Sequence, residues 1–316
     1  MSLPDRSPAR KPNRTGLFLP WLAFLLLAVG WSIGWFRLKE EAITRMDAAV
    51  AQLRAQGYPV AWETRTVGGF PFRLDVTLTG ARIAEPSGWA IAMPRLKTEA
   101  WIYRLDHWML VAPDGVTLSR PDGGAVLVRA EALRASLTGF DSHPPRLSVE
   151  GVGLAFDTGP GAKPYLIESA ERLELHLRPG PDDQGGVLFR VDGARLRLKG
   201  LPARVAQGRP VSMMWDLTLS RMSAFKGQSW PSAVRRWQGA GGAITVRAAE
   251  LRGGDALLTG EGGPLTVGDD GLLRGRINAT LKDADGGGLG FSGLVTLDDG
   301  RATLGPLDLG PAPRLY

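Results

Sequence analysis

A chain of 316 residues is long enough for one large domain or two ordinary ones, and its 44% apolar and 22% charged residues exclude wholesale disorder. The absence of cysteine excludes disulfides, thiolate metal sites and a cysteine nucleophile. The net charge of +6 does not indicate a nucleic-acid partner, because the basic residues are dispersed and their one local excess precedes an apolar segment.

That apolar segment runs from Gly16 to Phe36 without a charged residue, a span of 21 positions. A helix needs about 20 apolar residues to cross the hydrocarbon core of a bilayer, so this length is sufficient. Trp21 lies near one end, and Trp31 and Trp35 lie near the other, as in an interfacial aromatic belt. We therefore predict a transmembrane helix over residues 16–36 and the lipid bilayer as a partner.

The tail over residues 1–15 determines the predicted orientation of this helix. Its basic residues outnumber the single Asp5, so we expect a cytoplasmic tail and a single-pass protein of the inner membrane with its bulk in the periplasm. The alternative is a cleaved signal peptide with a cleavage site at Ser32-Ile33-Gly34. Bulky aromatic residues surround that site, and the apolar run is longer than the 7–15 residues usual for signal peptides, which favours a retained anchor.

Residues 37–57 are predicted to form a stalk helix. Apolar residues recur there at three- or four-residue steps, and Gly57 followed by Pro59 ends the pattern. The opposite face of this helix is charged, which suits a stalk or a lid on a sheet.

From Tyr58 onward the hydrophobic period changes to two, which predicts antiparallel strands with one apolar and one wet face. The clearest segments are Phe72–Thr79, Arg172–Arg178, Val211–Ser220 and Arg276–Lys282. Turn signals rich in Asp and Gly separate the segments; they lie at residues 121–124, 182–185, 269–271 and 298–300.

One further short helix is predicted after Ser229, with Pro231 in its first turn and Trp237 near its end. It separates two halves, 58–221 and 241–316, of one periplasmic β-rich domain over residues 58–316. The predicted fold class is therefore mainly β: a transmembrane helix and a stalk helix, followed by a large curved antiparallel sheet (an open barrel, half-pipe or sandwich) with one short helix.

No motif predicts catalysis, a cofactor or a metal. The glycine-rich stretch Gly286–Gly293 contains a formal dinucleotide-binding pattern, but a strand follows it where a helix is required, so a hairpin is the better interpretation. His107, His143 and His176 lack metal-ligand spacing. The paired aspartates adjoin glycines and are typical of tight turns, and Asp283–Gly286 lacks the later glutamate of a calcium loop.

Tryptophan is frequent in the first part of the β region. Core packing is the simplest interpretation, and the alternative is an apolar groove or a rim that faces the membrane, because indole combines an apolar body with one polar N–H. The residues are Trp62, Trp89, Trp101, Trp108 and Trp215.

The stretch Gly68-Gly69-Phe70-Pro71-Phe72-Arg73-Leu74, placed soon after a membrane helix and a stalk, resembles an alphaproteobacterial family known as domain of unknown function 2125. The Trp230-Pro231 helix, Gly241-Gly242, the Asp270-Gly271 turn and Gly305-Pro306-Leu307 also look like its pattern. More distantly, the second half is similar to AsmA-like envelope proteins. These resemblances imply an inner-membrane protein that faces the periplasm, with no catalytic residues to transfer.

A sheet with one apolar face must cover that face with another layer or with an apolar ligand. We therefore expect a non-enzymatic protein that binds or shuttles lipid, or another amphipathic ligand, in an apolar groove. The predicted groove residues are Leu74, Val76, Leu175, Trp215, Leu217 and Ile277. The alternative function is a structural or assembly factor of the cell envelope that binds envelope proteins through a strand edge.

Overall fold

The computed structural model describes residues 15–142, 144–284 and 290–316, in which the chain forms three helices and eighteen strands. The predicted mainly β fold class is confirmed. Three predictions fall outside the described residues: the tail over residues 1–14, His143, and positions 285–289, which the glycine-rich stretch and the calcium-like loop share.

The helices are α1 (Thr15–Ala55), α2 (Gly200–Ala206) and α3 (Trp230–Gly239), and a 3-10 turn spans Met222–Ala224. The strands are β1 (Val60–Ala61), β2 (Thr64–Gly68), β3 (Arg73–Ala84), β4 (Ala90–Trp101), β5 (Arg104–Val111), β6 (Val116–Arg120), β7 (Gly124–Arg129), β8 (Ala132–Thr138), β9 (Arg146–Thr158), β10 (Ile167–Pro179), β11 (Gly185–Leu196), β12 (Val211–Leu219), β13 (Ile244–Gly253), β14 (Ala256–Val267), β15 (Leu273–Asp283), β16 (Phe291–Asp298), β17 (Arg301–Leu304) and β18 (Leu307–Pro311).

All the strands belong to one antiparallel sheet with a meander topology. Three places in the sheet are each filled by two short strands that lie end to end: β1 and β2 beside β3, β5 and β6 beside β4, and β7 and β8 beside β9. Each later strand pairs with the strand before it, and β12 pairs with β13 across the α3 insertion. The two predicted halves are therefore parts of a single sheet.

One face of the sheet, called the inner face below, is apolar across twelve strands. Paired residues point to the same side, so the register can be followed from one strand to the next. The row that starts at Val76 contains Thr98 as its one polar member; in order it runs Val76, Thr98, Leu110, Ala135, Val149, Leu175, Phe189, Trp215, Ala249, Gly260, Ala279 and Gly293.

Three glycines shift the inner face by one residue along the chain. Gly80, Gly153 and Gly193 have φ values of 58°, 59° and 58°, in the left-handed region that glycine tolerates best. In β3 the buried positions are 74, 76 and 78 before Gly80 and then 81 after it. The strict period of two is therefore interrupted within a continuous strand.

Helix α1 is continuous from Thr15 to Ala55, so the predicted transmembrane and stalk helices form one helix without a break. Its later part packs on the inner face of the first strands. Met46 contacts the cluster around Val76 and Leu78, and Asp47 pairs with Arg65 of β2 at 2.6 Å. The hydrogen bond with Arg65 lowers the pKa of Asp47 below its ordinary value.

Helices α2 and α3 also pack on the inner face. The predicted α3 is confirmed, and Ser229 caps it by accepting a hydrogen bond from the backbone N–H of Ser232. The prediction of a single short helix was wrong, because α2 is a second one. With seven residues that begin at Gly200, its sequence resembles a turn more than a helix.

The start of the sheet lies beside the segment that carries α3. Tyr58, just before β1, donates its hydroxyl to the carbonyl of Gly227 at 3.0 Å. The backbone N–H of Trp230 donates to Glu85, just after β3, at 3.1 Å. These two contacts join the start of the sheet to its second half.

Candidate functional site

The helices cover the inner face unevenly. Helix α1 packs on β3 through Met46, α2 contacts β13, β14 and β18, and α3 packs on β13 through Val234 and Trp237. The inner face from β4 to β10 carries a cavity whose described lining comes from these strands and the β5–β6 connection, with no residue from a helix. We call this region the apolar trough.

The apolar trough has a volume of about 300 Å³. Its lining includes one charged residue, Arg134, whose guanidinium is held on the outer face by Glu150 at 2.7 Å. The apolar lining residues are Ile91, Met93, Leu96, Leu110, Val111, Ala112, Val116, Leu118, Val128, Leu133, Ala135, Val149, Leu154, Phe156 and Leu173. This volume lies at the lower end of the range for small-molecule sites.

The second half of the sheet contrasts with the trough because its inner face is filled. Trp237 of α3 is fully buried and donates its indole N–H to the carbonyl of Ser220 at 2.6 Å. The C-terminal segment folds back over the same region, where the backbone N–H of Leu273 donates to Pro313 at 2.9 Å. Trp230 donates its indole N–H to Leu315 at 2.5 Å. Among the described residues, this half therefore has a packed core instead of a groove.

All six predicted groove residues lie on the inner face, but the structure distributes them over three environments. Leu74 and Val76 are buried, with Val76 in the cluster that α1 covers. Leu175 is half-buried and pairs with Val149, which lines the trough. The other three are partly buried against the α3 cluster; they are Trp215, Leu217 and Ile277. Ligand binding by these six residues stays a prediction.

Sequence reasoning missed the strands that contribute most of the trough. Leu110, Ala135 and Val149 occupy one row across β5, β8 and β9. Alternating apolar residues were present there, for example Leu133, Ala135 and Leu137, but the strands are short and interrupted. The signal could have been found by aligning these short alternations as neighbouring strands.

The polar groups near the trough lie either on the outer face of the sheet or at one end of the trough. The ring of Tyr165 stacks on Phe156 with 5.3 Å between centroids, and burial raises the pKa of the Tyr165 hydroxyl. On the outer face, Glu150 forms ion pairs with Arg134 and Arg172. The hydrogen bond with Arg134 lowers the pKa of Glu150. These charges form ion pairs across strands.

The described histidines do not converge. His107 lies on β5 and His176 on β10, with β8 and β9 between them. His176 Nδ1 lies 2.9 Å from the hydroxyl of Ser148, as expected for a histidine on the polar side of a strand. Within the described ranges, no group of three or more His, Asp or Glu side chains is arranged to hold a metal ion.

The paired aspartates lie in turns, as predicted, except that Asp298 is the last residue of β16. Asp182, Asp183 and Asp299 have positive φ values in the connections that precede β11 and β17. Asp183 accepts hydrogen bonds from the backbone N–H and the hydroxyl of Ser223 at 2.7 and 2.8 Å, which lower the pKa of Asp183. Their role in the structure is to fix turn conformations.

The N-terminal helix is the second feature of the site. From Phe18 to Ala55 it is long and apolar enough to cross a membrane, and its apolar part is almost entirely exposed. Trp31 donates its indole N–H to the carbonyl of Pro71, and Trp35 donates to the carbonyl of Arg73, both at 2.9 Å. The helix is thus joined to the sheet at the turn between β2 and β3.

Comparison with known proteins finds a family model described as "Uncharacterized protein conserved in bacteria (DUF2125)", which matches residues 35–286. The match extends from the middle of α1 through β15 and includes the strands that form the apolar trough. No curated protein matches the chain, and no solved structure matches it.

Proposed function

The chain belongs to the uncharacterised bacterial family DUF2125, and from this premise we propose that it is a membrane-anchored, non-enzymatic protein that binds the acyl part of a lipid in the apolar trough. The observation that carries the proposal is the uncovered apolar row Leu110, Ala135 and Val149, in a protein whose N-terminal helix can span a bilayer. Burial of apolar surface supplies about 25 cal/mol per Å², so an acyl chain gains free energy there without a specific polar partner.

A retained anchor is supported by the contacts of α1 with the sheet. Cleavage at Ser32-Ile33-Gly34 would remove Trp31 and its hydrogen bond to Pro71. It would also leave the buried Trp35 beside a new charged terminus. The proposed location is the inner membrane, with the basic tail in the cytoplasm and the sheet in the periplasm. An alphaproteobacterial source and a similarity to AsmA-like envelope proteins remain expectations.

A scaffold function is the alternative, and the two edges of the sheet favour it. Within the described residues, β18 has register partners only on β17, and β1 and β2 at the other edge have register partners only on β3. An unpaired edge can accept a strand from another protein. Crosslinks from β18 to envelope proteins, with no lipid adducts in the trough, would favour this function.

Photocrosslinking tests the lipid proposal directly. A benzophenone amino acid is placed at Ala135, on the inner face of β8, in the full chain in its native membranes. We expect lipid adducts after irradiation, detected as mass additions on the purified protein.

Ser136 provides the matched control because it is the next residue of the same strand and pairs with Met109 and Ser148 on the outer face. The same photoprobe at Ser136 should give far fewer lipid adducts. Equal lipid labelling at both positions, or none at Ala135, would contradict a lipid site in the trough.

A further inference from the structure

Two hairpin turns place exposed aromatic side chains beside the membrane helix. The turn between β2 and β3 carries Phe70 and Phe72, and the turn between β4 and β5 carries Tyr103 next to Trp101. Their exposed fractions are 51%, 56%, 69% and 48%, respectively. We call these four residues the aromatic rim. A contiguous exposed patch of large aromatic side chains is typical of an interaction surface.

Direct contacts join the aromatic rim to α1. The ring centroids of Phe72 and Trp31 lie 6.1 Å apart, and those of Phe70 and Trp35 lie 5.5 Å apart. The backbone N–H of Ile102 donates to the carbonyl of Phe72 at 3.1 Å, so the two turns are joined directly. The rings of Trp101 and Tyr103 are stacked, with centroids 5.5 Å apart.

The position of these contacts along α1 defines the depth of the rim. Trp31 and Trp35 lie in the last two turns of the uncharged segment that ends at Phe36. With a rise of about 1.5 Å per residue, both indoles lie within roughly 8 Å of the end of that segment. The rim is fixed at the same level, where Trp and Tyr are enriched in membrane proteins.

Charged residues directly follow the aromatic residues, both on α1 and in the turn between β4 and β5. Arg37 and Arg104 are exposed and directly follow Phe36 and Tyr103, and Lys39 Nζ lies 6.0 Å from the ring centroid of Trp35. Basic side chains next to aromatic residues can reach lipid phosphates while the rings contact the acyl boundary.

An apolar notch separates α1 from the second turn. It has a volume of about 580 Å³, and its walls include Gly30 and Gly34 on the helix and Ile102 and Tyr103 on the turn. A Cβ atom added to either glycine would find no atom within 4 Å among the described residues. The notch is therefore open space at the level of the bilayer boundary.

We infer that the aromatic rim inserts into the membrane–water interface on the side where α1 leaves the bilayer, and that lipid of that leaflet occupies the notch. The inference rests on the membrane anchor of the proposed function. It adds a second membrane contact, which holds the sheet against the bilayer. Strand β4 carries the rim residue Trp101 at its end and trough residues such as Leu96 along its length. Strand β5 begins directly after Tyr103 and carries the trough residue Leu110, so the notch and the trough lie along the same two strands.

Single cysteines test the inference cleanly because the chain contains none of its own. The variants Phe72→Cys and Tyr103→Cys are labelled with the fluorophore NBD in the full chain and reconstituted into liposomes of phosphatidylcholine and phosphatidylglycerol. We expect blue-shifted emission and several-fold weaker quenching by iodide than at a control position. Lipids with brominated acyl chains should quench the rim labels.

Asp122→Cys is the matched control, since Asp122 is exposed in the turn between β6 and β7. Strand β6 pairs with Ala90–Ala92, at the opposite end of β4 from Trp101, so this turn lies about 35 Å from the rim. Rim labels that iodide quenches as strongly as the label at Asp122 would overturn the inference.

Two further measurements separate the remaining outcomes. If a second copy of the chain covered the notch through Gly30 and Gly34, protection would fall when protein is diluted in lipid, and this result would also overturn the inference. Extraction of the native protein by alkaline carbonate would refute the anchor and the inference together. Resistance to carbonate with exposed rim labels would refute the inference alone.

Discussion

At the scale of single residues, glycine determines where the alternation of inner-face and outer-face residues shifts by one position along a strand. Gly193 has a φ of 58°, and a Cβ at this position would lie 2.4 Å from the carboxyl carbon of Glu171 on β10. Gly80 and Gly153 have the same relation to Glu63 and Glu131. These positions need glycine for the left-handed backbone conformation, whereas the glutamate atoms nearby belong to exposed, flexible side chains.

Gly193→Ala is expected to destabilise the protein by about 1–2 kcal/mol, the cost of the left-handed conformation for alanine, because the exposed side chain of Glu171 can turn away from the added methyl group. Gly161→Ala is the matched control, since Gly161 has a φ of 72° and nothing within 4 Å of the added Cβ among the described residues. Chemical denaturation of both variants measures the difference. Similar losses of unfolding free energy are expected for the two variants, and a much larger loss at Gly193 would show that Glu171 cannot turn away.

The same residues explain which parts of the sheet sequence reasoning could predict. Alternation correctly placed strands where the period of two is unbroken, and β12 was predicted almost to the residue over Val211–Leu219. It ended the predicted strand at Thr79, although β3 continues to Ala84, because Gly80 reverses the alternation. The sequence alone does not distinguish a glycine with a left-handed conformation inside a strand from a glycine in a turn.

At the scale of elements, strands β8, β9 and β10 are linked on the outer face by charge. Glu150 of β9 lies 2.6 Å from Arg172 of β10, and Arg172 lies 2.7 Å from Glu174. Together with Arg134 of β8, these side chains form one connected network across three strands. The network lies directly behind the floor of the trough, where Ala135 and Val149 face inward.

Glu150→Gln should lower the melting temperature at neutral pH. Because the pKa of Glu150 is lowered in the folded protein, its carboxylate stabilises the fold above the ordinary glutamate pKa of about 4.3. That stabilisation is lost as the pH falls through the lowered pKa, so the difference between variant and wild type should shrink on acidification.

Melting curves of both proteins between pH 7 and pH 3 measure this dependence. Glu168→Gln serves as a comparison, because Glu168 forms a single ion pair with Arg197 at 2.8 Å. We expect a smaller effect at pH 7 than for Glu150→Gln. A difference between Glu150→Gln and wild type that stays constant over the pH range would rule out the carboxylate as its cause.

Helices were predicted less completely than strands, for physical reasons. Helix α3 has a serine cap and an early proline, which are local signals. Helix α2 contains few such signals and is stabilised by tertiary burial of Val205 and Ala206. The continuity of α1 through Phe36 and Arg37 was also not evident, because the change from apolar to amphipathic composition resembles a boundary.

At the scale of the whole molecule, the amount of apolar sheet surface exceeds what the helices cover. Helix α1 occupies the inner face of the first strands, and α3 occupies that of the second half. Helix α2 packs in a cluster that extends from β7 to β13 and includes the trough residues Val128 and Leu154. The apolar trough over β4–β10 is the region between α1 and α3. Sequence patterns predicted this imbalance, but the location of the gap depends on the long-range placement of three helices, which local patterns do not encode.

The central claim is that this trough binds lipid, and native mass spectrometry of the full chain released from detergent tests it most directly. The wild-type protein should carry lipid-sized mass additions, and Ala135→Trp should lose most of them because indole fills the trough. Ser136→Trp, on the outer face, should keep them. A wild-type spectrum without bound lipid, or equal lipid loading of both tryptophan variants, would contradict the account.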